Sequence, residues 1–312
     1  MTTVHPGTGR TDCAGYSDCI FLENEIARVV LGHPSGGGIL EYSHGGENVL
    51  FFDPAQEGKI WKPGNPIFGP KAGRFDIGPE KILPEHPVLW VGEWSAEITG
   101  PRSAKLTSQV DPKLNVQLVR EFRLDADSSH LTCRQTIINK APDKVQRLCH
   151  WSRTLARGGG ICVIPLGDYS RFPNGWVMYG PDDVIQYQPE DPNVRIRGGF
   201  LEILAPPAEA KLGMDSMEGW FAYLMPDDWM FLKSFVTHPD RVYNEIAGLT
   251  VSIWAPADGS KIELEPIGPM EVLKPGKSAA FEEEWWLLPF QFPEKGSNVD
   301  LEALEQAVRN EL

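Results

Sequence analysis

Short runs rich in Val, Ile, Leu, Thr, Phe and Trp recur along the chain, broken every few residues by Gly or Pro. Several alternate apolar and polar positions with a period of two. In Leu131–Ile137, the side chains of Leu131, Cys133, Gln135 and Ile137 share one face. In Lys261–Glu265, Ile262 and Leu264 share a face while Glu263 and Glu265 take the other. The pattern predicts strands over Ile26–Leu31, Val88–Ile98, Lys105–Gln109, Val116–Leu124, His130–Asn139, Trp220–Met225, Leu249–Trp254 and Lys261–Pro266. Helical spacing is convincing once, near the C-terminus. Ser297-Asn298-Val299-Asp300 has the form of a capping box, and Leu301, Leu304, Val308 and Leu312 follow at helical intervals. An all-β body with a C-terminal helix over 297–312 is therefore expected. The strand–helix alternation of a Rossmann or TIM-barrel fold is absent. No repeat or linker divides the chain, so 1–296 is expected to form one domain with the helix packed on it. The Pro/Gly-rich stretch Lys62 to Pro84 is expected to form long ordered loops, which on β scaffolds often carry function.

Charge narrows the partners. Of 312 residues, 43 are acidic and 29 basic, a net charge of −14 that would repel a nucleic-acid backbone. The longest apolar runs, such as Trp285 to Phe290, are far too short to span a bilayer. Met1 to Arg10 contains no apolar signal region, so a cytoplasmic location is expected. Five scattered cysteines without a CxxC spacing argue against a zinc ribbon and read as reduced thiols, although Cys13 and Cys19 are near enough to pair across a loop. Gly36-Gly37-Gly38 and Gly158-Gly159-Gly160 lack a phosphate-loop pattern and are expected in turns or close packing. Glu282-Glu283-Glu284 beside Trp285-Trp286 reads as a solvated strand face next to packed aromatics.

Candidate chemistry lies in four polar positions set among ten tryptophans: Arg74 in Gly73-Arg74-Phe75, His86 in Glu85-His86-Pro87, His150 in Cys149-His150-Trp151, and Glu265 in Leu264-Glu265-Pro266. In this order they resemble the galactose mutarotase (aldose 1-epimerase) superfamily, over about residues 20–292. Gly37-Gly38-Ile39-Leu40 and Glu47-Asn48-Val49-Leu50 are similar to its first hairpin, and Leu273 to Leu287 to its closing strands. The resemblance implies a β-supersandwich. It further implies that Glu265 is the catalytic base, that His150 is the acid, and that Arg74 and His86 bind substrate. Trp151-Ser152-Arg153-Thr154 replaces the Pro-Tyr-Phe-Asn-Leu that follows the family's second histidine, which places the chain nearer an uncharacterised bacterial branch. The substrate-binding aspartate has no clear counterpart, Asp215 being the nearest candidate.

Lys233 sits inside an apolar run, where burial is costly unless an anion or polar ligand meets it. It joins Arg153 as a candidate binder, with Trp151 and Trp220 as stacking walls for a sugar. Mutarotation needs one group to take the proton of the anomeric hydroxyl and another to protonate the ring oxygen, and no metal or organic cofactor. The expected partner is a small sugar or oligosaccharide, with neither nucleic acid nor membrane involved, and the protein acts as a monomer or homodimer. Three other readings stay open: a non-catalytic carbohydrate-binding protein, a lyase or hydrolase acting on a uronic acid or modified sugar, and a structural or interaction protein whose pocket is vestigial.

Overall fold

The computed structural model describes residues 5–69 and 73–312. Its strands form three antiparallel sheets of five, ten and eight strands, in the β-sandwich arrangement expected of the alternating sequence. One continuous apolar core fills the space between them, with Leu22, Leu106, Ile137, Leu264 and Trp285 among its buried members.

Most predicted strands are present. Examples are Val116–Leu124, Leu131–Asn139, Trp220–Met225 and Lys261–Pro266. The segment Val88–Ile98 differs. Pro87 opens a short helix, Pro87–Trp90, and the strand begins only at Ser95–Gly100. Proline suits the first helical turn because its fixed φ is helical and its missing N–H would have no partner there. Gly36 holds this helix in place. Its φ is +73°, and a Cβ there would lie 2.0 Å from the Trp90 carbonyl oxygen. Within Lys62 to Pro84, one strand, Arg74–Gly78, interrupts the loops. The part of that stretch at 70–72 lies outside the described residues, as do residues 1–4 of the N-terminal segment.

The terminal helix spans Leu301–Glu311, capped by Asp300 rather than by Ser297. The Asp300 carboxylate accepts the Ala303 N–H at 3.0 Å, which satisfies one of the first-turn donors. Leu304 and Val308 pack with Val299, Phe200 and Trp286 on the outer face of the ten-stranded sheet. The acidic run is not uniformly solvated: Glu283 is fully buried, because strand alternation turns it inward between exposed Glu282 and half-buried Glu284. All five cysteines are free thiols. No helix among the described residues is long and apolar enough to cross a membrane.

Candidate functional site

Four neighbouring strands of the eight-stranded sheet carry the site: Lys211–Met214, Val251–Trp254, Lys261–Pro266 and Gln146–Arg157. Their register aligns side chains in rows across one face. Lys211, Trp254, Glu263 and Leu155 form one row. Gly213, Ser252 and Glu265 form the next, and Arg153 and Arg74 continue it, since Arg74–Gly78 pairs with the far half of Gln146–Arg157. Because strand side chains alternate, these rows share a face while the intervening residues point into the sandwich.

Above the rows opens a cavity of about 740 Å³. Phe51, Phe68, Trp90 and Trp254 supply aromatic walls, and Arg74, Glu80, Arg153, Lys211 and Glu263 supply charge. Arg153 is the hub. Its Nε and Nη2 donate to both oxygens of Glu263 at 3.2 and 3.0 Å, its Nη1 donates to Glu80 at 3.1 Å, and its guanidinium lies 4.7 Å from the Trp151 ring centroid. Such a bidentate pair fixes both groups in direction as well as distance. Lys211 donates to the other Glu80 oxygen at 3.2 Å. Glu80 is itself held by its backbone N–H, which donates to buried Glu245 at 2.9 Å.

Glu265 lies one layer lower and is fully buried. Trp151 Nε1 donates to its Oε2 at 2.6 Å, while Oε1 has no partner among the described residues. Burial pushes Glu265 up to about 7, and the neighbouring Glu263 charge adds to the effect against the pull of Lys211 and Arg153. Glu263 moves the other way. Burial would raise it, but the charges of Arg153 and Arg74 outweigh burial and hold it well below its ordinary value. The outcome is a carboxylate pair with divided acidities, in which a proton on Glu265 can be shared with ionised Glu263.

Arg74 joins a second buried cluster. It lies 3.5 Å from Asp76, with its Nε unpartnered among the described residues. Asp76 Oδ1 accepts from His86 Nε2 at 2.9 Å and from Trp90 Nε1 at 2.8 Å. His86 Nδ1 lies 2.7 Å from the Pro84 carbonyl, so donation from both ring nitrogens makes His86 an imidazolium. Burial opposes that charge, but the Asp76 hydrogen bond and charge raise the imidazole above its ordinary value. Arg120, fully buried on Val116–Leu124, donates to the carbonyls of Gly37 at 2.9 Å and Gly73 at 2.5 Å. It thereby ties the backbone just before Arg74 to the core.

The structure gathers Arg74, His86, Trp151, Arg153 and Glu265 around this floor and separates four other expected residues from it. His150 pairs across the strand with Ile77 and points into the sandwich, opposite Trp151. It is fully buried between Phe75 and Phe281, and Nε2 lies 3.2 Å from the Ala279 carbonyl. Burial pushes it down to about 3, so it is neutral and cannot reach Glu265's side of the sheet. Lys233 also points inward. Its anion is this chain's own Glu283, 2.9 Å away, and Thr154 Oγ1 accepts from it at 3.0 Å. Trp220 packs on Phe200 beside the terminal helix, on the outer face of the other sheet. Asp215 stands in a separate basin, bound to Ser170 and Arg171.

Asp76, Glu80, Lys211 and Glu263 escaped the sequence reading. Asp76 and Glu263 had a usable signal, since each sits two residues from an expected site residue on the same strand face. Glu80 and Lys211 had none, because the order of distant strands brings Lys211 to the loop residue Glu80. Among the described residues no group of three His, Cys, Asp or Glu is arranged to hold a metal ion.

Comparison with known proteins finds no matching family model and no matching curated protein. Solved structures do match. A galactose mutarotase-like protein from Lactobacillus casei superposes with a TM-score of 0.60 at 12% identity, covering 86% of this chain and 100% of that one. A candidate aldose 1-epimerase from Escherichia coli K12 gives 0.59 at 14% identity, covering 90% and 100%. A galactose mutarotase-like protein from Clostridium acetobutylicum gives 0.55 at 10% identity, covering 92% and 99%. These likenesses run through nearly the whole of each chain, and so the fold of this protein is that of the galactose mutarotase-like proteins.

Proposed function

We propose that this chain is a carbohydrate-active enzyme that interconverts sugar anomers by acid/base ring opening. The observation that carries the reading is the Glu263–Glu265 pair, with its divided acidities, on the floor of an aromatic-walled cavity. Flat rings such as Trp90 and Trp254 suit the apolar faces of a pyranose, while Arg74 and Arg153 suit its hydroxyls. Glu263 lines the cavity and is ionised but is a weak base in the grip of Arg153, so it relays the proton of the anomeric hydroxyl to Glu265, the stronger base of the pair. Lys211, two strands away in the same row, donates to the ring oxygen. The ring opens, the carbonyl rotates, and closure on the other face returns both protons. Glu265 acts from beneath by sharing a proton with Glu263, and Asp76 with His86 orients Arg74.

The test is anomer exchange by NMR on a panel of aldoses and uronic acids. Wild type is expected to accelerate exchange of at least one sugar, and Glu263→Gln to abolish the acceleration. Binding without acceleration would overturn the reading in favour of a carbohydrate-binding protein. That second reading has one observation in its favour: Glu265, the base implied by the resemblance, is closed off beneath Arg153.

A further inference from the structure

We infer that the sugar this cavity accepts carries an anionic group, a carboxylate or a phosphate, away from its anomeric carbon, and that Lys261 binds that group. The inference rests on the sugar-processing reading above and adds the substrate class. Lys261, Glu263 and Glu265 alternate along one strand and so share a face. Lys261 lines the cavity two residues from Glu263, a strand rise of about 7 Å. That span suits the reach from one carbon of a six-membered ring to a substituent on its far side.

The charge pattern singles this lysine out. The other three cations on the floor have carboxylates: Arg74 has Asp76, Arg153 has Glu263, and Lys211 has Glu80. Lys261 forms no ion pair among the described residues. Its ammonium instead lies 4.8 Å from the Phe51 ring centroid and 5.7 Å from that of Trp254. Asp53, which shares the Phe51 wall, uses Oδ1 to accept the Ala55 N–H. Two rings therefore hold a long side chain at the cavity edge, with its three N–H donors unpartnered among the described residues. Rings of this kind favour a cation and also exclude water, which strengthens a charged hydrogen bond to an incoming anion. A neutral hydroxyl would use the same donors but gain less from the charge than an anion does.

Titration calorimetry with glucose, glucuronate and glucose 6-phosphate tests this on wild type, Lys261→Met and Lys261→Arg, with anomer exchange followed in parallel. Methionine keeps the apolar stem over the rings and removes the charge. Wild type is expected to bind one of the anionic sugars at least about tenfold tighter than glucose, as a charged hydrogen bond implies. That preference should vanish in Lys261→Met, return in Lys261→Arg and shrink as salt is added. Whether glucuronate or the phosphate shows it identifies the anion. Equal binding of all three sugars, a preference that survives Lys261→Met, or no binding at all would overturn the inference. An anion preference lost in Lys261→Met without any anomer exchange would leave the inference standing and overturn the epimerase reading. Exchange of glucose with no anion preference would do the reverse.

Discussion

Two buried ionic clusters lie on opposite faces of the strand Gln146–Arg157. On one face Arg153 meets Glu263, Glu80 and the edge of Glu265, beneath an open cavity. On the other face Lys233 meets Glu283 and Thr154, and Gln135 donates to Glu283, inside the closed core. Both join opposite charges through hydrogen bonds, and both would look functional in a list of buried ionisable groups. They differ in what is left over. The core cluster matches Lys233 to Glu283 and has no opening. The cavity cluster leaves two carboxylates side by side, with one acidity raised and the other lowered. Burial alone therefore does not mark a site; burial beneath a solvent-accessible cavity with an unmatched charge does.

The sharpest break in the comparison is catalytic. Glu263→Gln should lower anomer exchange by about 10²- to 10⁴-fold, the usual yield of a positioned acid or base, whereas His150→Phe should leave exchange within about tenfold of wild type. NMR exchange rates on folded protein check both. A large loss in His150→Phe with intact folding would mean that the two faces communicate.

The next effect is on stability. Lys233→Ala strands Glu283 in the core and should cost about 3–5 kcal/mol in urea unfolding. Lys233→Met combined with Glu283→Leu should recover most of that, because a matched apolar pair replaces the ions. Sugar binding by the folded double variant should persist. Its loss would place Lys233 in the site after all.

The two faces should also respond to pH with opposite sign. Glu265 is raised from 4.5 to about 7, so its contribution is fully present below about pH 4.5 and is lost as pH rises through 7. His150 is lowered from 6.5 to about 3, so its contribution is present above about pH 6.5 and is lost as pH falls through 3. Denaturation across pH should show Glu265→Gln removing the alkaline decline and His150→Phe removing the acid decline. Each slope is at most about 1.4 kcal/mol per pH unit. A fourth effect is smaller. Arg120→Met removes the Nη1 donor that holds both Gly37 and Gly73, and should weaken sugar affinity several-fold through Arg74 while leaving the pH profile of exchange in place. An unchanged affinity would remove Arg120 from any positioning role.

Much of the fold was legible because its signals are local. Period-two alternation marked the strands, and spacing at Leu301, Leu304 and Val308 marked the helix. The error at Val88–Ile98 arose where Pro87 and the close approach of Gly36 overrode an apolar run. At the site, local pattern reached less far. Arg74, His86 and Glu265, singled out by the order of short motifs, lie together with Trp151 and Arg153 around the cavity floor, and the same motif order included His150, one residue from Trp151.

What the sequence by itself determined was the β architecture, its terminal helix and a polar set spaced along it, because propensity and alternation act over a few residues. The tertiary structure decided which members of that set share a cavity. Adjacent strand residues point to opposite faces, so His150 and Trp151 part company however similar their context. Partners such as Lys211 and Glu80, or Lys233 and Glu283, meet only through the sheet order, which brings together residues far apart in the chain.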